Sequence, residues 1–186
     1  MAKSATKRSA TIDRLVTLFR TRGYDGASLS DLAAATGLGR ASLYHHFPAG
    51  KEEMGRSALA QAGQRFTKLV VAPLGADRPA RERLLAMVDG MEAFYRDGPL
   101  ACLTNTMSLA GKESPFQPAI AASLTALEER IASAFASLGL KPDAAKDAAQ
   151  DILATLHGAL VVGRVMDDAS VFDRAMDRLR RRITAA

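Results

Sequence analysis

The chain has 186 residues, 48% of them hydrophobic, with a formal net charge of +5, one cysteine and no tryptophan. One cysteine excludes an intramolecular disulfide framework, and one Cys with three His, two of them adjacent, excludes a metal cluster, so no metal or cofactor is expected. No apolar run approaches the roughly 20 residues that span a membrane, and the basic start MAKSATKR leads into an amphipathic stretch rather than an apolar leader core, so a cytoplasmic protein with no membrane association is expected.

The charge is uneven. Residues 1–56 hold nine Lys/Arg and five Asp/Glu, a net of +4, whereas residues 57–186 hold sixteen and fifteen, a net of +1. An excess of positive charge at one end is what a polyanion-binding segment requires. An Ala- and Leu-rich chain with few aromatics favours helices packed on helices, and the fold class read here is all-α.

In chain order, Lys3, Lys7 and Arg8 form a basic arm, followed by a helix over about Ser9–Arg22. Ile12, Leu15, Val16 and Phe19 are its buried stripe, Gly23 its stop, and Tyr24 and Ala27 pack the corner beyond. The stretch SLSDLAAATGLGRASLYHHFPAGKEEM, Ser28–Met54, then reads as two short helices around a tight turn. Leu29, Leu32 and Ala33 share one face, Ser28 or Ser30 caps the first helix, and Asp31 sits where the helix dipole favours a carboxylate. Gly37 and Gly39 break it, because the corner needs a left-handed residue. The second helix, about Arg40–Phe47, turns Leu43 and Phe47 inward and leaves Arg40, Ala41, Ser42, Tyr44, His45 and His46 on or near the surface.

A unit of this size can lay its second helix in the major groove of double-stranded DNA. Arg40 can give two bonds to guanine O6 and N7; Ser28, Ser42, Tyr44 and Lys51 can reach phosphates; His45 and His46 flank them. Spacing alone leaves a surface-exposed helix pair as the rival reading.

A connecting helix is expected from Lys51 to about Val71, with Met54, Ala58, Ala62, Phe66, Leu69 and Val70 on its apolar side. Pro73, Gly75 and Pro79 end it, and a broad apolar helix runs from Pro79 to about Arg96, closed by Asp97-Gly98-Pro99. Leu100–Gly111 is the least ordinary segment, joining Cys102 to Thr104, Asn105 and Met107. Three more helices follow, about Pro115–Leu138, Asp143–Asp167 and Val171–Thr184, the last capped by Ser170. The small residues Ala154, Gly158, Ala159 and Gly163 would let another helix come close.

The motifs around the turn, a Gly corner followed by Leu-Tyr-His-His-Phe and Lys-Glu-Glu-Met, resemble the DNA-binding domain of TetR-family regulators over about residues 9–56. FPAGKEEM has one residue more before its lysine than the common family pattern, a variant that looks like the LmrA/YxaF-like branch. The resemblance implies an N-terminal three-helix helix–turn–helix domain, 1–56, and a C-terminal helical domain, 57–186, that binds a small-molecule inducer and forms a homodimer through its last two helices. It implies no enzyme, but a ligand-responsive regulator, most often a repressor released from a palindromic operator. Residues expected to line the ligand site are Met87, Met91, Phe94, Tyr95, Cys102, Asn105, Met107, Phe116, Leu156, His157 and Val161. Each is also an ordinary core residue by type, with His157 satisfied by a backbone carbonyl. Three rival readings stay open: Cys102 as an electrophile- or oxidant-sensing thiol, a small-molecule binding protein with a non-functional helix–turn–helix, and an enzyme using Cys102 and His157.

Overall fold

A computed structural model describes residues 2–96, 101–108 and 114–186, with side chains from Arg8 onward. The Lys3 and Lys7 side chains of the basic arm, the Asp97-Gly98-Pro99 stop and the end of the Leu100–Gly111 segment lie outside them. Among the described residues every regular element is helical: α1 Ala2–Gly26, α2 Leu29–Thr36, α3 Arg40–His46, α4 Lys51–Phe66, α5 Ala80–Arg96, α6 Leu103–Ser108, α7 Gln117–Ala136, α8 Pro142–Met166 and α9 Ser170–Ala185. No helix is long and apolar enough to cross a membrane among the residues described.

The chain divides into two compact units, Met1–Gln64 with Cys102–Ile120, and Arg65–Ala101 with Ala121–Ala186. This division differs from a cut at residue 56. α4 runs unbroken through that point, and α6 belongs with the N-terminal helices: Thr106 Oγ1 donates to the Phe19 carbonyl of α1 at 3.1 Å.

In the first unit the stripe Ile12, Leu15, Val16 and Phe19 is buried with Leu32, Leu43, Phe47, Met54 and Ala58, so α1 to α4 share one apolar centre. α1 begins well before Ser9, and Gly23 marks a non-helical step inside it (φ 72°) rather than its end. Gly55 lets Phe116 and Met107 lie against α4: a Cβ there would stand 2.7 Å from Phe116 Cζ and 3.1 Å from Met107 Cε.

In the second unit α4 gives way to a π-helical turn, Thr67–Val71, closed by the Ala72 amide donating to the Thr67 carbonyl, and then to a 3₁₀ turn, Ala72–Gly75. α5 presses on that π turn through Gly90, where a Cβ would lie 1.8 Å from the Leu69 carbonyl oxygen. An edge-on aromatic series, Phe66–Phe94–Tyr95–Phe172 with centroids 5.0 to 6.0 Å apart, ties the end of α4 to α5 and α9. On the outside Arg180 of α9 pairs with Asp89 (2.8 Å) and Glu92 of α5, and Arg96 with Asp173 (2.8 Å).

Two expectations for the last helices change. Ser170 does not cap α9 with its own side chain; Asp168 accepts from the Ser170 amide at 2.9 Å and from its hydroxyl at 2.5 Å, because the carboxylate at the preceding turn reaches both donors. Ala159 and Gly163 are buried within their own subunit, Gly163 lying where a Cβ would meet the Asp168 carbonyl at 3.1 Å. Ala154 and Gly158 do remain exposed.

Candidate nucleic-acid interface

α2 is held at both of its ends by polar contacts. Ser28 sits in extended backbone and its hydroxyl accepts from the Asp31 amide at 3.1 Å, while the Asp31 carboxylate accepts from the Ser28 amide at 3.0 Å: a reciprocal capping box. Ser28 also donates its hydroxyl hydrogen to Asp31 at 2.6 Å, and Arg22 of α1 donates to the same carboxylate at 2.5 Å. The Ser28 hydrogen bonds, then the Arg22 charge, hold the Asp31 carboxyl below the usual Asp range. Ser28 thus spends its amide and hydroxyl on α2, leaving no evident donor for a phosphate.

At the other end of α2, Gly37 takes the left-handed conformation (φ 70°) and donates to the Ala33 carbonyl at 2.9 Å. Arg14 of α1 donates to the Thr36 carbonyl at 2.8 Å, placing a cation at a helix C-terminus where the dipole favours it. Gly39 then opens α3.

Leu43 and Phe47 anchor α3, at 1% and 0% exposure, and the anchoring fixes which side faces out. Arg40, Ala41, Ser42, Tyr44, His45 and His46 are all exposed, Tyr44 at 47%. Arg40 Nη2 donates to Ser30 Oγ of α2 at 3.0 Å, a contact the sequence pattern does not reveal, since Ser30 reads there only as a possible cap. His45 and His46 stand edge to face with centroids 5.6 Å apart. Arg8 lies over the Phe47 ring, 5.3 Å from its centroid, which brings one cation of the basic arm to the C-terminal end of α3.

Lys51, expected to reach a phosphate, rests on an aromatic ring in this structure. It is half-buried, with Nζ 4.6 Å from the centroid of Tyr24, whose ring meets Phe116 edge-on at 4.7 Å. Burial, then Glu52 and Asp25, push the Tyr24 hydroxyl above its usual range.

The residues expected around a ligand divide between the two units. Cys102, Met107 and Phe116 are buried and Asn105 half-buried in the first, where Met107 and Phe116 meet over Gly55. Met87, Met91, Phe94, Tyr95 and Leu156 are buried and His157 half-buried in the second. The His157 Nδ1 is buried without a hydrogen-bond partner among the described residues, so the expected carbonyl is not there. Val161 departs from an inward position: it is 46% exposed and shares the outer face of α8 with Val162, Val165 and Met166, because Leu156 and Leu160 take the inner one. Cys102 is 5% exposed, so its thiol lacks the access that a sensing cysteine needs. No group of His, Cys, Asp and Glu able to hold a metal occurs among the described residues.

A short helix held across a second one by caps, with its outer face polar and basic, defines a helix–turn–helix DNA-binding protein. The chain belongs to the TetR family of bacterial regulatory proteins: residues 12–58 match the model of that family's N-terminal domain, and residues 80–178 that of the C-terminal domain of LmrA/YxaF-like transcriptional regulators. An HTH-type transcriptional regulator of Mycobacterium tuberculosis is 27% identical over 177 residues, which cover 90% of this chain and 89% of the relative. Among solved structures, a TetR transcriptional regulator from Chloroflexus aurantiacus superposes with a TM-score of 0.81 at 24% identity, covering 99% of this chain and 97% of its own. A cysteine mutant of the TetR-family regulator CifR, complexed with a 26-bp operator duplex, gives 0.69 at 24% identity, over 96% and 94% of the two chains. Members of the family are DNA-binding transcriptional repressors, typically ligand-responsive and dimeric, and not enzymes.

Proposed function

We propose that this chain is a dimeric repressor that holds a palindromic operator through α3 and lets it go when a small molecule binds the helical C-terminal part. The observation that carries the reading is the face of α3: Arg40, Ser42, Tyr44 and His45 stand exposed on a helix whose rotation is locked by buried Leu43 and Phe47. Arg40, at the helix start, is the base reader; Ser42 and Tyr44 supply phosphate contacts whose contribution falls as salt rises. Lys51 joins them by leaving the Tyr24 ring.

One recognition helix reads only a few base pairs, and specificity requires two, about 34 Å apart on successive major grooves. The outer face of α8 supports the pairing. Val161, Val162, Val165 and Met166 are 44% to 77% exposed on one side of a helix whose Ala154 and Gly158 would admit a close neighbour. A second copy of the same helix is the expected cover. The unpartnered His157 Nδ1 is the polar anchor we assign to the inducer, which acts by its higher affinity for the dimer geometry that does not fit DNA.

Selection from random duplexes by the purified full-length protein at near-physiological salt tests the reading. Recovery of an inverted repeat with half-sites about one turn apart is expected, and Arg40→Ala should cost on the order of 1–3 kcal/mol and relax one base position. Binding that lacks any motif and disappears as salt rises would sink it, leaving phosphate attraction alone.

A further inference from the structure

The first residue of α3 reaches back across the turn. Arg40 Nη2 donates to the Ser30 hydroxyl oxygen at 3.0 Å, and both residues are exposed. Ser30 lies in the first turn of α2, yet the helix does not need its hydroxyl: Ser28 and Asp31 form the capping box between them. Among the described residues the Ser30 side chain makes no hydrogen bond other than the one it accepts from Arg40. A solvent-facing serine beside a cap that is already complete, with an arginine laid on it, is doing something for the arginine.

We propose that Ser30 is a positioning residue for Arg40, so that base choice at the operator is set by the pair and not by α3 alone. The inference rests on the reading of Arg40 as a base reader. An exposed arginine samples many rotamers, and ordering it on DNA is costly. A hydrogen bond from one Nη to a serine fixed in α2 restricts the side chain beforehand, and the guanidinium keeps donors for a guanine edge. The Ser30 hydroxyl hydrogen stays available to a phosphate, which would lock the serine in the same orientation once DNA is bound. α2 thereby contributes to sequence discrimination without touching a base.

The test compares wild type with Ser30→Ala, Ser30→Thr, Arg40→Ala and the Ser30→Ala/Arg40→Ala double variant in full-length protein. Binding is measured on the selected duplex and on duplexes changed at single positions, with thermal melting of each protein alongside. Ser30→Ala should lower discrimination at the position read by Arg40 by about three- to tenfold while leaving other positions unchanged. Ser30→Thr, which keeps the hydroxyl, should retain most of it, and Ser30→Ala should do nothing further once Arg40 is gone. Equal weakening on every duplex, or independent effects of the two substitutions, would overturn the proposal and leave Ser30 as a phosphate contact. Arg40→Ala with unchanged base preference would instead remove the base-reader reading itself, and that variant measured alone shows which of the two has failed.

Discussion

The α2–α3 corner and the seat of α5 each hold a helix in place, by opposite means. Around α2 and its corner with α3 the work is divided among many modest bonds: the Ser28–Asp31 box and Arg22 on Asp31 at the start of α2, and Arg14 on the Thr36 carbonyl with the left-handed Gly37 at its end. At the seat it rests on one steric condition, that position 90 carries no Cβ where α5 crosses the Leu69 carbonyl. Loss of any one corner bond should be tolerated with a graded cost. Loss of the steric condition should not.

Gly90→Ala is therefore expected to be the most damaging methyl addition among the described glycines. Its Cβ would lie 1.8 Å from a backbone oxygen and 2.6 Å from the Leu69 carbonyl carbon, and neither belongs to a side chain that can swing away. A destabilisation of at least about 3 kcal/mol is expected in denaturant titration. Gly63→Ala sharpens the contrast: nothing lies within 4 Å of the added methyl, in an exposed turn of α4, and stability should rise by up to about 1 kcal/mol. Equal stability of the two variants would mean that α5 does not seat as described.

Gly55→Ala falls between these. Its methyl would meet Phe116 Cζ at 2.7 Å and Met107 Cε at 3.1 Å, both ends of side chains that can move, so a loss of about 1–3 kcal/mol is expected by the same titration. Gly37→Ala meets only Arg14 Nη1 at 3.9 Å, but must adopt φ near 70°, at about 1–2 kcal/mol. Its readout has a second part. Because Gly37 sets the angle between α2 and α3, operator affinity should drop even at temperatures where the protein stays folded. An unchanged affinity would show that the corner angle is set by the buried Leu43 and Phe47 instead.

The same contrast explains how much of the fold is legible in the sequence. Caps and turns are local: a serine three residues before Asp31, or a glycine after Thr36, carries its own conformational preference, so α2, α3 and the outward face of Arg40–His46 follow from spacing. Apolar stripes are local too, and the α1 stripe is buried as its period implies. Close approach is not local. Nothing around Gly90 in sequence says that a carbonyl from a π turn some twenty residues earlier will lie against it, and nothing in LACLTNTMSLAG says that α6 joins α1 through Thr106. That Lys51 lies over the Tyr24 ring is likewise invisible in a charge pattern. The Arg40–Ser30 bond spans ten residues and has no periodic signature.

The smallest expected effect concerns Asp31, in the first turn of α2. The Ser28 hydroxyl and amide, with Arg22 behind them, lower the Asp31 pKa in the folded chain. A carboxyl so shifted adds stability above its unfolded pKa, near 4, and loses that contribution as pH falls through the lower folded value. The native protein should thus lose stability more steeply than Asp31→Asn between about pH 5 and pH 3, because asparagine has no proton to take up there. Asp31 is half-buried but its Arg22 partner is exposed, so the difference should be small and should shrink further in high salt as that partner is screened. Denaturant midpoints for the two proteins at several pH values measure it. Parallel profiles through that window would mean that the capping box holds equally well with Asp31 neutral.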